Sequence, residues 1–325
     1  MNKAIRFHAQ GGPEVFVWED APLADPGPGQ ITIRHQAVGL NYIDVYHRMG
    51  VYPLAGFPAV PGLEGAGTVE TVGAGVTDLK PGDRVAYASP PMGAYAEARL
   101  MPADRVVKLP DGIDFKTAAA MMLQGMTAQY LLKRTYPVQK GDTILVHAAA
   151  GGVGLILCQW ARHLGATVIG TVGSEAKAQL ARAHGCDHTI LYRQEDFTKR
   201  VKEITNGQGV PVVYDSVGKD TFMGSLDCLR PLGMMVSYGN ASGTVPPFDL
   251  GILAGKGSLF LTRPTLMTYI AKRDDLVRIA GDLFEVVGKG AVKIEIHQTY
   301  ALKDAAQAHR DLEARKTTAS TVLLP

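Results

Sequence analysis

Between about Lys140 and Leu261, short apolar runs alternate with stretches whose apolar residues recur every three or four positions. The runs Thr143–His147, Thr167–Val172, His188–Leu191, Val212–Asp215, Met234–Tyr238 and Ser258–Leu261 read as buried strands. One intervening stretch sets Val153, Ile156, Leu157, Trp160, Ala161 and Leu164 on a single helical face, and Gly165 follows as a C-terminal cap. Another sets Phe197, Val201 and Ile204 before Gly207. Strands joined by crossover helices predict an α/β fold with a doubly wound, parallel, six-stranded Rossmann sheet.

The flanking segments have a different texture. From Met1 to about Pro110, short strands are broken by Gly and Pro, as in APLADPGPGQ (21–30) and LKPGDRVAYASPP (79–91). That texture predicts a β-rich, barrel-like domain. A helical stretch over 114–133 carries the chain out of it. After Arg263-Pro264, two helices, a strand near Ile294–Tyr300, a helix near Lys303–Ala314 and a last strand at Ser320–Leu324 are expected. This tail is expected to return to the first domain. Residues 1–125 and 265–325 would then form the β-rich domain and 126–264 the dinucleotide domain, and 325 residues suffice for both.

Composition narrows the functions. Apolar residues make up 46% of the chain, enough for a sizeable core. The net charge of +2 gives no general case for nucleic acid or an anionic membrane as partner. Cys158, Cys186 and Cys228 are far apart and odd in number, so no disulfide framework is expected. No apolar run reaches the roughly 18 residues of a membrane span, and the N-terminus lacks a signal-peptide core. A soluble cytoplasmic protein is expected.

The chemistry begins at TILVHAAAGGVG (143–154), a strand followed by a small-residue turn that opens a helix. The turn reads Ala149-x-Gly151-x-x-Gly154, with alanine where the dinucleotide fingerprint starts with glycine. Ala149, Ala150, Gly151, Gly152 and Val153 would bring backbone N–H groups to a pyrophosphate at the helix N-terminus. A tight turn that binds nothing has the same composition. No G-K-[ST] ends the turn, so it is not a Walker loop.

The next strand ends in Gly173-Ser174, where an NAD enzyme usually carries an acid for the ribose 2′-hydroxyl. Lys177 falls in the first turn of the following helix, against the helix dipole. A 2′-phosphate held by Gly173, Ser174 and Lys177 explains both features and predicts NADPH. A solvated lysine partnered by Glu175 is the other reading. His184, Cys186, Asp187 and His188 suggest a helix end rather than a metal site.

Taken together, the chain resembles the medium-chain dehydrogenase/reductase superfamily, and within it the zinc-free quinone oxidoreductases related to zeta-crystallin. The resemblance rests on GLNYIDVYHRMGVYP (39–53), PGLEGAGTVETVGAGV (61–76), GDRVA (82–86), HAAAGGVG (147–154), YDSVG (214–218) and LTRPTL (261–266). It implies that the β-rich domain is GroES-like. Where metal-bearing relatives place cysteine and histidine ligands, this chain has Asn41 and Leu63, with Glu64 kept. Zinc needs about four N, S or O donors, so no catalytic metal is expected.

By the same resemblance, Asn41, Tyr46 and Tyr52 line a cleft between the domains, with Arg263 entering from the other side. Asn41 would orient the nicotinamide ribose or hydrogen-bond the acceptor, and the tyrosines would stack on a flat ring. Thr127 would approach the nicotinamide. Tyr192 and Arg315 would close around the 2′-phosphate or adenine. Ser216, Val217, Tyr238, Gly239 and Asn240 would contact the cofactor at the ends of two strands. Asp44 reads better as a turn-capping carboxylate than as a base.

The predicted function is an NADPH-dependent reductase of a flat quinone. A reductase of enones or enoyl thioesters, with Tyr46 or Tyr52 as proton donor, is the rival enzyme. An NADPH-binding structural or RNA-binding protein is the alternative of another class. A homodimer is implied by the resemblance, paired through the sheet edge near Ser258–Thr262.

Overall fold

The structure is a computed structural model that describes residues 2–325. The chain divides into two compact units. One comprises Met1–Met126, Tyr269–Gly288 and Ile294–Pro325, and the other Thr127–Thr268 with Lys289–Lys293. The short return of Lys289–Lys293 is held by Gln159, whose side chain bonds both the N–H and the carbonyl of Lys293.

The second unit is a six-stranded sheet in the order His188–Leu191, Thr167–Val172, Thr143–Val146, Val210–Asp215, Leu229–Ser237, Phe260–Thr262. Every neighbouring pair in it is parallel. The strand order reverses beside Thr143–Val146, the switch point at which open α/β sheets bind ligands. Helix Gly152–His163 follows that strand and buries Leu155, Ile156, Leu157, Trp160 and Ala161, a broader face than the periodicity gives. Each such large apolar side chain contributes about 1.5–3 kcal/mol by burial. Leu164 caps the helix and Gly165 turns the chain at φ +89°.

Two strand boundaries differ from expectation for local reasons. Ser258 has φ +55°, outside the extended region, so the edge strand starts at Phe260. The strand expected from Met234 starts at Leu229 instead, interrupted at Leu232 with φ +61°.

In the first unit, the long strand Gln30–Leu40 organises the sheet. One edge pairs with Glu64–Val72, while the other pairs with Ala98–Pro102 and then with Ser320–Leu324. The terminal strand therefore does return to the N-terminal sheet. The core beneath holds Ile31, Ile33, Val38, Val85, Tyr95 and Met101, among others. Helix Tyr42–Arg48 leaves the end of the long strand through Asn41, an extended N-cap with φ −131° and ψ 155°. Among the described residues, no helix is long and apolar enough to cross a membrane.

Candidate active site

The glycine-rich turn has its one left-handed residue at Ala148, with φ +53°, one position before the alanine that replaces glycine. Ala149 is fully buried, and its N–H donates to Thr171 O at 3.1 Å. A methyl is tolerated there because the unusual backbone falls elsewhere. The two retained glycines differ. A Cβ on Gly154 would lie 2.3 Å from Ala148 O and 2.8 Å from the Ala149 carbonyl carbon, so helix and turn pack too closely for one. A Cβ on Gly151 would meet only Ala148 O, at 3.2 Å. Gly151 is the N-cap and offers no side-chain acceptor, which leaves the first helical N–H groups to be satisfied from outside the helix. This cradle fits a dinucleotide pyrophosphate.

At the end of the neighbouring strand, Ser174 is the N-cap of helix Glu175–Ala183, and its Oγ accepts from Lys177 N–H at 3.4 Å. Glu175 pairs with Arg182. Tyr192 stands over Gly173, where a Cβ would come within 2.8 Å of the tyrosine oxygen. Gly173, Ser174, Lys177 and Tyr192 thus gather at one strand end, without an acid at Gly173. These donors suit a phosphate better than a ribose hydroxyl.

A third set forms around Asp215, which is fully buried and accepts from Val217 N–H (2.8 Å), Gly218 N–H (3.0 Å), Thr221 Oγ1 (2.7 Å) and Ser225 Oγ (3.0 Å). Ser225 also meets His147 Nε2 at 2.9 Å, and His147 Nδ1 meets Thr171 Oγ1 at 2.9 Å. Since Asp215 takes the Ser225 hydrogen, His147 donates from Nε2 and accepts at Nδ1. Burial lowers the His147 pKa and favours this neutral form. The chain braces the strands on either side of the turn. Ser216 and Val217 lie against residues 239–242 through Ala241 N–H to Ser216 O and Ser242 N–H to Val217 O. Burial pushes the Tyr238 hydroxyl up, and Ser216 bonds it. Arg263 donates to Ser237 O at 3.1 Å, and Asn240, oriented to satisfy both amide ends, accepts from Arg263 at 3.3 Å. Thr127 is buried in helix Phe115–Tyr130. Arg315, exposed at φ +59°, belongs to the first unit.

The first unit holds the other candidates. The Tyr46 and Tyr52 rings meet edge to face with centroids 5.3 Å apart, and both are half-buried. Asn41 is buried; its Nδ2 donates to Glu64 Oε2 at 2.6 Å and its Oδ1 accepts from Gln124 Nε2 at 3.2 Å. Asp44 accepts the Asn41 N–H at 3.0 Å and the Tyr95 hydroxyl at 3.0 Å, a capping role. Burial raises the Asp44 pKa to about 7 and the Glu64 pKa to about 8. Zinc does not fit this place. Leu63 is a buried hydrocarbon, the Asn41 amide nitrogen already donates to Glu64, and the Asp44 carboxylate caps the helix through the Asn41 N–H. Among the described residues, no three of His, Cys, Asp or Glu are grouped to hold a metal.

Several polar residues of these sets carry no local sequence signal. Gln124, 83 positions from Asn41, bonds its amide, and Ser320, 196 positions beyond Gln124, bonds Gln124 in turn. The only hint was a lone glutamine in the apolar run AAAMMLQGM.

Two family models match the chain: the alcohol dehydrogenase GroES-like domain over residues 27–111, and the zinc-binding dehydrogenase model over 152–275. A quinone oxidoreductase of Pseudomonas aeruginosa is 55% identical, with both chains covered in full. A 2-haloacrylate reductase from a Burkholderia species is 49% identical over all of this chain and 99% of its own. Among solved structures, the Escherichia coli quinone oxidoreductase complexed with NADPH superposes with a TM-score of 0.98 at 48% identity, covering 99% of this chain and all of that one.

Proposed function

We infer, for a chain that belongs to the quinone oxidoreductases of the medium-chain dehydrogenase/reductase superfamily, that it is an NADPH-dependent quinone reductase working without a metal. The end-to-end likeness to a curated quinone oxidoreductase carries this reading. The NADPH complex of a 48% identical neighbour supports the cofactor.

Bound NADPH supplies the hydride. The backbone N–H groups of Gly152 and Val153 hold the pyrophosphate, with Ala149, Ala150 and Gly151 leaving room for it; the Gly151 N–H itself closes the turn onto Ala148 O at 2.9 Å. Gly173, Ser174, Lys177 and Tyr192 take the 2′-phosphate. Thr127, Ser216, Val217, Tyr238, Gly239 and Asn240 line the remainder of the cofactor, and Arg263 orders the loop that carries Asn240. Arg315 keeps its assignment from the family resemblance alone. Asn41 donates a hydrogen bond to the acceptor oxygen, where negative charge develops. Tyr46 and Tyr52 offer ring faces and hydroxyls to a flat quinone. The quinone gains two electrons and one proton as hydride, and a second proton, from solvent, completes the hydroquinone.

The likeness to a 2-haloacrylate reductase favours a second reading, in which an activated alkene accepts the hydride and a tyrosine protonates carbon. Replacing Tyr46 and Tyr52 together by Phe separates the two. A loss within about 10-fold fits a quinone, which needs little acid catalysis, while a loss beyond about 100-fold fits the alkene.

The strand Phe260–Thr262 is the sheet edge, and Phe260 is 56% exposed. Pairing of this edge with a second copy would cover both, giving a cytoplasmic homodimer. Sedimentation at micromolar concentration tests it, with a monomer as the contrary result.

A further inference from the structure

The side-chain amide of Asn41 has two ends of nearly equal shape and opposite hydrogen-bonding sense. Its surroundings decide which end faces where. Glu64 offers one oxygen to Asn41 Nδ2 at 2.6 Å and the other to the backbone N–H of Leu123 at 2.8 Å. On the far side, Gln124 Nε2 donates to Asn41 Oδ1 at 3.2 Å, and Gln124 Oε1 meets Ser320 Oγ at 2.8 Å. Glu64 is fully buried and reaches this position only because residue 39 is glycine. A Cβ there would lie 2.2 Å from Glu64 Oε2 and 2.2 Å from Ala119 O.

A carboxylate only accepts hydrogen bonds. Leu123 N–H is a backbone donor fixed in its helix, so the other oxygen of an ionised Glu64 must also meet a donor. The amide nitrogen of Asn41 supplies it. We propose that Glu64 is a positioning residue for hydride acceptance, setting the sense of the Asn41 amide so that its nitrogen keeps a second hydrogen to donate at the Glu64 end. This rests on the reading that Asn41 touches the acceptor. An acceptor oxygen gaining negative charge is stabilised by an N–H there and opposed by a carbonyl.

The sense is reversible. A protonated Glu64, still facing Leu123 N–H with one oxygen, would present its hydroxyl to Asn41 and demand the amide oxygen instead. Asn41 would turn over, Gln124 would turn with it, and Ser320 would accept from Gln124 while donating to Ala120 O, 3.0 Å away. No buried group is left unpaired in either sense.

Burial pushes Glu64 up to about 8, and Asp44 adds to the push, so the reversal falls in an accessible pH range. Tyr87 and Tyr95 also lie near Glu64. Both are pushed up by burial and stay neutral there, as does His35, which bonds Tyr87 and is lowered to about 4. Arg99 bonds the Tyr87 hydroxyl rather than Glu64.

Glu64→Gln fixes the protonated pattern permanently. Its amide oxygen goes to Leu123 N–H and its NH2 to Asn41. In the full-length variant, assayed with the parent at about pH 9 where Glu64 is ionised, we expect kcat/KM for a quinone to fall on the order of 10–100-fold. NADPH affinity should stay within about 2-fold, as expected when only the acceptor contact changes. The parent's kcat/KM should rise with pH, with a midpoint near 8, and the variant should lack that step. Asn41→Ala is the companion measurement. If it lowers turnover at least about 10-fold while Glu64→Gln stays within about 2-fold, the positioning role is overturned and the Asn41 reading stands. If Asn41→Ala leaves turnover unchanged, both fall. Should Glu64→Gln not fold, a parent profile flat from about pH 6 to 9.5 overturns the proposal by itself.

Discussion

Arg48, with no exposed side-chain surface, is gripped by both carboxylate oxygens of Glu313, at 2.8 and 2.9 Å. The pair joins the helix that carries Tyr46 to helix Ala305–Glu313. Arg48 also donates to Gly11 O at 3.0 Å and meets His309 Nδ1 at 2.9 Å. His309 Nε2 lies 3.0 Å from the Tyr95 hydroxyl, which bonds Asp44. Removing one partner of such a pair strands the other in a dry site. Glu313→Ala is therefore expected to cost about 3 kcal/mol, toward the lower end for a buried pair because Glu313 is 28% exposed. Urea unfolding measures this; a change below about 0.5 kcal/mol would mean Arg48 is satisfied by His309 and Gly11 alone.

The same network predicts a pH dependence. Burial, and Arg48 second, lower the His309 pKa from 6.5 to about 3. Between those values the unfolded chain binds the proton and the folded one does not, so this residue makes stability fall as pH falls through that window. Asp44 acts in the opposite sense. Raised from 3.8 to about 7, it favours the folded state more as pH falls through its own window. Comparing His309→Gln with the parent isolates the histidine. Between about pH 4 and 6 the variant's stability should fall less steeply, by about 1.4 kcal/mol per pH unit. Parallel curves would show that His309 is protonated in the fold.

The two glycines of the turn should fail differently when changed to alanine. Gly154→Ala drives a methyl into Ala148 O and Ala149, so it should lower Tm and NADPH affinity together. Gly151→Ala meets only Ala148 O at 3.2 Å. Its Tm should stay near the parent's while NADPH affinity drops at least about 10-fold, since the methyl occupies the approach to the pyrophosphate. Equal effects on both quantities in both variants would argue that the turn has only a packing role.

Lys177→Ala should weaken NADPH roughly 10–100-fold, the scale of a hydrogen bond to a charged group, and leave NADH nearly unchanged. Isothermal titration with both cofactors reads this directly. Equal losses for both would place Lys177 away from the 2′-phosphate.

The sheet was legible because its signals are local. The strands at Thr167–Val172 and His188–Leu191 follow from apolar runs with turn residues on either side. Ser258 misled because serine carries no mark of the left-handed backbone it adopts here. The turn was legible in composition, yet the left-handed residue sits at Ala148, which the spacing of glycines does not reveal. Asn41 was found through the place it takes in a family pattern. The same pattern keeps Glu64 but says nothing of its bond to Asn41, which follows from the pairing of Gln30–Leu40 with Glu64–Val72; Gln124 and Ser320 carry no such mark and meet only once the terminal strand pairs with Gln30–Leu40. Arg48 and Glu313 were hidden for the same reason: on one-dimensional evidence each is an ordinary surface charge.

Hydride transfer from NADPH to a quinone is read most directly as NADPH oxidation across a panel of quinones and enones, with NADH as control. Fast turnover of quinones with NADPH, at least about 10-fold above both enones and NADH in kcat/KM, is the predicted result. Turnover of activated alkenes with quinones inert, or equal use of NADH, would contradict it.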